Sequence, residues 1–142
     1  MPKSESNEID LVNRGPEDVV SFLRVCGVPT DEPAQILLGL SRAEAAPSAH
    51  AICGAAVRSG PDATRPVDAG QLVDLADELL VGSVVLATVE AGAGRAPGRH
   101  ELGRFVSLRR DCADDGIVLL DWIVVAGHLW WSMREQVIHE AA

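Results

Sequence analysis

Four histidines (His50, His100, His128, His139) and three cysteines (Cys26, Cys53, Cys112) are the chain's first candidates for a base, a nucleophile or a soft-metal ligand. A Ser or Cys nucleophile needs a His base and a third group to orient it. None of the histidines lies in a recognisable nucleophile motif. The cysteines are odd in number, far apart and without a CxxC pair, which argues against a disulfide framework or a Cys-rich zinc site. Cys26 and Cys112 are expected on the apolar faces of helices and Cys53 in a strand, so all three are read as core thiols. Glu90, His100 and Glu101 sit on or beside one loop, with Asp121 on a later strand. Such carboxylates suit a hard metal. The set lacks the imidazoles of a zinc site, so solvated loop charge is the better reading. Ala91-Gly92-Ala93-Gly94-Arg95 stands where a phosphate loop would, between a strand and a helix, yet it lacks GxGxxG and the Walker lysine. It reads as a flexible turn made locally basic by Arg95 and Arg99. Arg104, Arg109 and Arg110 make one helix partly basic, and a solvated face is the expected meaning.

The elements that must position these residues belong to one domain, since 142 residues fall within the ~100–200 typical of one domain. The hydrophobic fraction is 47% and the charged fraction 23%, a balance that excludes wholesale disorder. Lys and Arg number 12 against 21 Asp and Glu, a net charge of -9. That charge disfavours nucleic acid and anionic membrane surfaces. With no Tyr, 2 Phe and 3 Trp, stacking platforms for single strands are scarce as well. The amino terminus, MPKSESNEIDLVNRG, lacks the apolar core of a signal peptide, and no apolar run reaches the ~20 residues of a membrane span. A soluble cytoplasmic chain with no membrane contact is expected.

Residues 1–14 are polar and without period, and are expected to be a flexible lead-in. Helices are predicted over 16–26, 69–80 and 100–111. The first has Pro16 at its opening, followed by Glu17 and Asp18. The second has Asp68 as cap and Gln71 three residues on. Strands are predicted over Gln35–Leu40, Ala49–Val57, Ser83–Val89, Ile117–Val125 and Leu129–Met133, with Ala126-Gly127 supplying a tight turn. Arg58–Pro66 is expected to be a loop and 136–142 a short helix or loose tail. The strand Ser83–Val89 is apolar on both faces and should be central. The fold class is therefore α/β, a mixed sheet with helices packed on it.

Gly116-Ile117-Val118-Leu119-Leu120-Asp121-Trp122-Ile123-Val124-Val125, followed by Gly127, Ser132 and Arg134-Glu135, resembles the end of the RadC-like JAB/MPN (JAMM) domain. That family closes with a Gly-Ile, a Leu-Leu-Asp-His-Ile-Ile-Val strand, a glycine turn and a strand ending on Ser and Arg-Glu. Ser83-Val84-Val85-Leu86-Ala87 resembles the strand before the family's metal motif, and Gly15-Pro16-Glu17-Asp18-Val19 its first helix. The likeness spans residues 15–135, leaving 136–142 as a C-terminal tail. It implies the JAB/MPN, cytidine-deaminase-like architecture. In active members it implies zinc-dependent peptide or isopeptide hydrolysis, with two His and one Asp on the metal, an upstream Glu as base and a Ser for the oxyanion.

Laid onto this chain, the motif is degenerate. The first His falls on Thr88, the second on Glu90, the Ser on Gly98 and the Asp on Glu101, and Glu32 lies nearest the upstream Glu. Trp122 stands where the family has His after the Asp of the penultimate strand. The resemblance therefore implies no catalysis and no cofactor: a scaffold or protein-interaction module, with a protein partner or self-association. The alternatives are a divergent metallohydrolase that keeps zinc through Glu90, Glu101 and His100 or Asp121, and a DNA-repair accessory. Trp130 and Trp131 point to opposite faces of one strand and are the interface candidates.

Overall fold

The structure is a computed structural model that describes residues 8–10, 15–28, 32–42, 49–90 and 95–141. In chain order the elements are β1 (Glu8–Asp10), α1 (Glu17–Val25), β2 (Ala34–Arg42), β3 (Ala49–Ser59), a 3-10 turn (Gly60–Thr64), α2 (Ala69–Leu79), β4 (Ser83–Val89), α3 (Arg99–Asp114), β5 (Val118–Ala126), β6 (Leu129–Ser132) and α4 (Met133–Ala141). The strands form one six-stranded sheet in the order β1-β3-β2-β4-β5-β6. β4 and β5 run parallel, joined by the α3 crossover, and the other pairs are antiparallel. The chain is thus α/β with a mixed sheet, and Ser83–Val89 lies inside it, as its doubly apolar sequence requires.

Period-two alternation sends side chains to two cores. On one face Leu37, Val84, Leu86, Leu119 and Val124 meet Leu72, Leu75 and Ala76 of α2, Leu102, Phe105 and Leu108 of α3, and Met133 of α4. On the other, Ile36, Leu38, Leu40, Val85, Ala87, Ile123 and Val125 meet Val19, Val20 and Leu23 of α1. Each fully buried Leu or Val contributes roughly 1.5–3 kcal/mol. The second helix starts at the expected cap. Gln71 N donates to Asp68 Oδ1 and Asp68 N to Gln71 Oε1, both at 2.9 Å.

Two bulges set local geometry. Between β2 and β3 the register passes from Gly39↔Gly54 to Leu40↔Ile52, leaving Cys53 unpaired. The two facing glycines make a depression for Leu79, whose methyls lie where a Cβ on either glycine would stand. Between β4 and β5 the register passes from Val84↔Leu119 to Val85↔Asp121. The extra residue, Leu120, reverses the facing of all that follows, so Trp122 lies on the same side as Leu119.

Several expectations need correction. Glu8–Asp10 of the supposed lead-in pairs with Ala49–Ala51; residues 1–7 and 11–14 lie outside the described residues. The segment Arg58–Pro66 completes β3 and then forms the 3-10 turn. The tail is helix α4, which starts at Met133, so the last strand stops at Ser132. The hairpin turn is Gly127-His128 rather than Ala126-Gly127. Gly127, at φ +62, takes the left-handed first position of a two-residue turn, and Ala126 pairs with Leu129. Cys26 and Cys53 are exposed; only Cys112 is a core thiol.

Candidate functional site

Thr88 is the last β4 residue on the face covered by α2, α3 and α4, and Trp122 is the β5 residue that the bulge turns to the same side. The Trp122 indole Nε1–H donates to Thr88 Oγ1 at 3.0 Å. The Arg104 guanidinium of α3 lies over the same indole, 5.4 Å from its centroid. Such a contact on a largely buried ring holds the cation in place.

Around this pair the chain forms an open cleft of about 340 Å³, walled by Pro33 and Gln35 at the head of β2, residues 63–67 at the end of the 3-10 turn and just beyond it, and Thr88–Glu90. Gln35 is only 4% exposed. Its Nε2 donates to Arg65 O at 2.5 Å, and its Oε1 accepts from Arg58 Nη1 at 3.5 Å. A buried amide satisfied at both ends fixes the loop to the sheet. The sequence marks Gln35 only as a polar residue at the start of an apolar strand, and Arg104 only as part of a charged helix face. Both became legible once the cleft was formed.

The residues assigned to the degenerate motif are only partly gathered here. Thr88 and Glu90 line the cleft, whereas Glu32 is an exposed residue just before Pro33. Gly98 is the N-cap of α3, and Glu101 is spent on it: Gly98 N donates to Glu101 Oε2 at 2.7 Å. This is half of a capping box, because glycine has no side chain with which to reciprocate. His100 is exposed and lines an adjoining depression with Asp68, Arg99 and Asp111, which shares Val67 and Arg104 with the cleft.

Asp121 is fully buried and points elsewhere. Its carboxylate accepts from Trp122 N at 2.7 Å, Arg134 N at 3.0 Å and Ser132 Oγ at 2.5 Å. Ser132 Oγ in turn accepts from Glu135 N at 3.1 Å, so Ser132 caps α4 and Asp121 anchors the cap. Burial pushes the Asp121 carboxyl above its usual range, while the three hydrogen bonds and Arg134 oppose the rise.

The donors do not fit a zinc ion. The Thr88 oxygen receives the indole proton, Gly98 offers nothing, Glu101 is committed to its own helix and Asp121 to another. Glu90 and the second oxygen of Glu101 are left, too few for a zinc site. Among the described residues, no three His, Cys, Asp or Glu side chains stand together as a metal set.

Trp130 and Trp131 are both half-buried and sit on opposite faces. Trp131 packs on the core under α2, α3 and α4, and Trp130 on the core under α1. Their strand β6 is an edge of the sheet.

The architecture defines the class: a mixed α/β sheet covered on one face by α2, α3 and α4 and on the other by α1. Comparison of the sequence with protein-family models and with curated proteins finds no match in either. No helix among the described residues is long and apolar enough to cross a membrane.

Proposed function

We propose that the chain is a RadC-like JAB/MPN domain without a catalytic centre, a cytoplasmic module that acts by holding a protein partner or a second copy of itself. The observation that carries this reading is the Trp122–Thr88 hydrogen bond. Where active members of that family hold the first metal ligand, this chain has a hydroxyl engaged by an indole. The neighbouring carboxylates are turned to capping and anchoring helices. The order of strands and the parallel β4–α3–β5 crossover are compatible with the cytidine-deaminase-like architecture. The net charge of -9 argues for a protein over a nucleic acid.

The partner surface is the β6 edge. A short edge strand presents unpaired backbone groups that a second strand can use. Leu129 is exposed there, and each tryptophan keeps part of its surface open. Sedimentation velocity over a concentration series, alongside melting of Trp130→Ala and Trp131→Ala, tests this. The reading expects at least one variant to lose association while still folding. Loss of stability in both with association unchanged rejects the β6 surface. Hydrolysis of a peptide or isopeptide substrate that is abolished by Glu90→Gln rejects the non-catalytic assignment.

A further inference from the structure

The cleft beside Trp122 has an unusual balance of hydrogen-bonding groups. Arg104 is half-buried and held over the indole, and the exposed Arg65, just after the 3-10 turn, also lines the cleft. Neither makes an ion pair among the described residues. Thr88 Oγ1 accepts the indole proton, so its own hydroxyl hydrogen remains to be given away. Gln35 has one partner at each end of its amide, Arg65 O and Arg58 Nη1. The charged donors that line the cleft are the guanidiniums of Arg65 and Arg104, with the Thr88 hydroxyl beside them. The anionic acceptor is Glu90, exposed at the rim. The rest of the wall is Pro33, Ala63, Pro66, Val67 and Val89, with Thr64, whose hydroxyl donates to Pro61 O at 2.7 Å.

We propose that this cleft is a binding site for a monocarboxylate with a compact apolar body. A guanidinium matches a carboxylate through paired N–H···O bonds, and a fork pinned on an aromatic ring has already lost much of the freedom that binding would cost. Two cations against one rim carboxylate leave a single positive charge to be met. That favours a monoanion over a phosphate dianion, which Glu90 would also repel. At about 340 Å³ the cleft is at the small end of ligand sites. Its walls accommodate a short branched chain beside the carboxylate. The same group is carried by a free small acid and by the carboxyl terminus of a peptide. None of these contacts depends on the kinship proposed above.

The test is a titration of the full chain, followed through the indole N–H resonances in ¹H–¹⁵N spectra. The probes are isovalerate, isovaleramide, inorganic phosphate, and the tripeptide Ala-Ala-Leu with a free or amidated terminus. Isovalerate should bind saturably and shift one indole N–H. Isovaleramide and phosphate should each bind at least about tenfold more weakly, the loss expected when a charge-assisted pair is removed or mismatched. Free Ala-Ala-Leu binding more tightly than isovalerate assigns the site to chain termini; equal or weaker binding assigns it to free acids. Arg104→Gln should weaken isovalerate about tenfold or more, and Arg65→Gln, on an exposed loop, several-fold. Equal affinity for acid and amide, tighter binding of phosphate, or unchanged affinity in Arg104→Gln overturns the proposal. Should Arg104→Gln fail to fold, unchanged affinity in Arg65→Gln overturns it alone.

Discussion

Removing the Asp121 carboxylate tests how the carboxyl end of the chain is held. Three donors converge on it: the Ser132 hydroxyl and the backbone N–H groups of Trp122 and Arg134. Asp121→Ala leaves all three facing a void. An orphaned buried donor costs about 1–3 kcal/mol, so the sum is roughly 3–6 kcal/mol after the relief of a buried charge is set against it. That is a large share of the ~5–15 kcal/mol that holds a typical domain. The melting temperature should fall by about 10 °C or more, and helical circular dichroism should drop as α4 loses its cap. Asp121→Asn keeps one acceptor for the two N–H groups and costs only about 1 kcal/mol. The pH dependence gives the sign. Burial raises the folded Asp121 carboxyl above its ordinary 3.8. The folded state then binds the proton more tightly than the unfolded state does. The wild type's advantage over Asp121→Asn is therefore full below pH 3.8 and shrinks as pH climbs through the raised folded value. Urea unfolding of both proteins across that range, read as a difference, isolates this group from the other carboxylates. A wild type that gains on Asp121→Asn as pH rises would show the hydrogen bonds outweighing burial and refute the reasoning.

Other outcomes follow from the same structure. Gly39→Val should cost about 1–3 kcal/mol by overpacking against Leu79, and Leu79→Ala in the same chain should return part of it, so the pair will be non-additive in urea unfolding. Leu80 ends α2 at φ +56 while 92% exposed, so Leu80→Gly should relieve about 1 kcal/mol and raise the melting temperature by a few degrees. With a reagent for thiols near pH 8, Cys26 and Cys53 should react in the native protein. Cys112, whose thiol burial and then Asp111 and Asp115 push up to about 11, should react only on unfolding.

What the sequence made legible follows the strength of each local signal. Ser83–Val89 is bounded by Gly82 and Glu90 and doubly apolar, and it is found with those limits. The Asp68–Gln71 box placed the start of α2. The carboxyl end departs from the expected strand because Ser132-Met133-Arg134-Glu135 is itself a capping signal, Ser with Glu three residues on. The family likeness had assigned those residues to a strand's close. Cys26 continues the apolar spacing of Val19, Phe22 and Leu23, but α1 stops at Val25 and the thiol is exposed. The cleft was only half legible. Thr88, Glu90 and Trp122 were singled out, yet their meeting depends on a bulge at Leu120 that no residue type announces. Arg104 reaches the indole only because α3 crosses over β5. Glu101 looked like a ligand and is a cap, a distinction set by the backbone at Gly98.

The proposed function rests on the hydrogen bond between the Trp122 indole and the Thr88 hydroxyl. The direct measurement is the zinc content of the full chain, loaded with excess zinc, desalted and analysed by elemental mass spectrometry. The account predicts far less than one zinc per chain, the same in Glu90→Gln as in the wild type. One equivalent of zinc retained through desalting, and lost in Glu90→Gln, would contradict it.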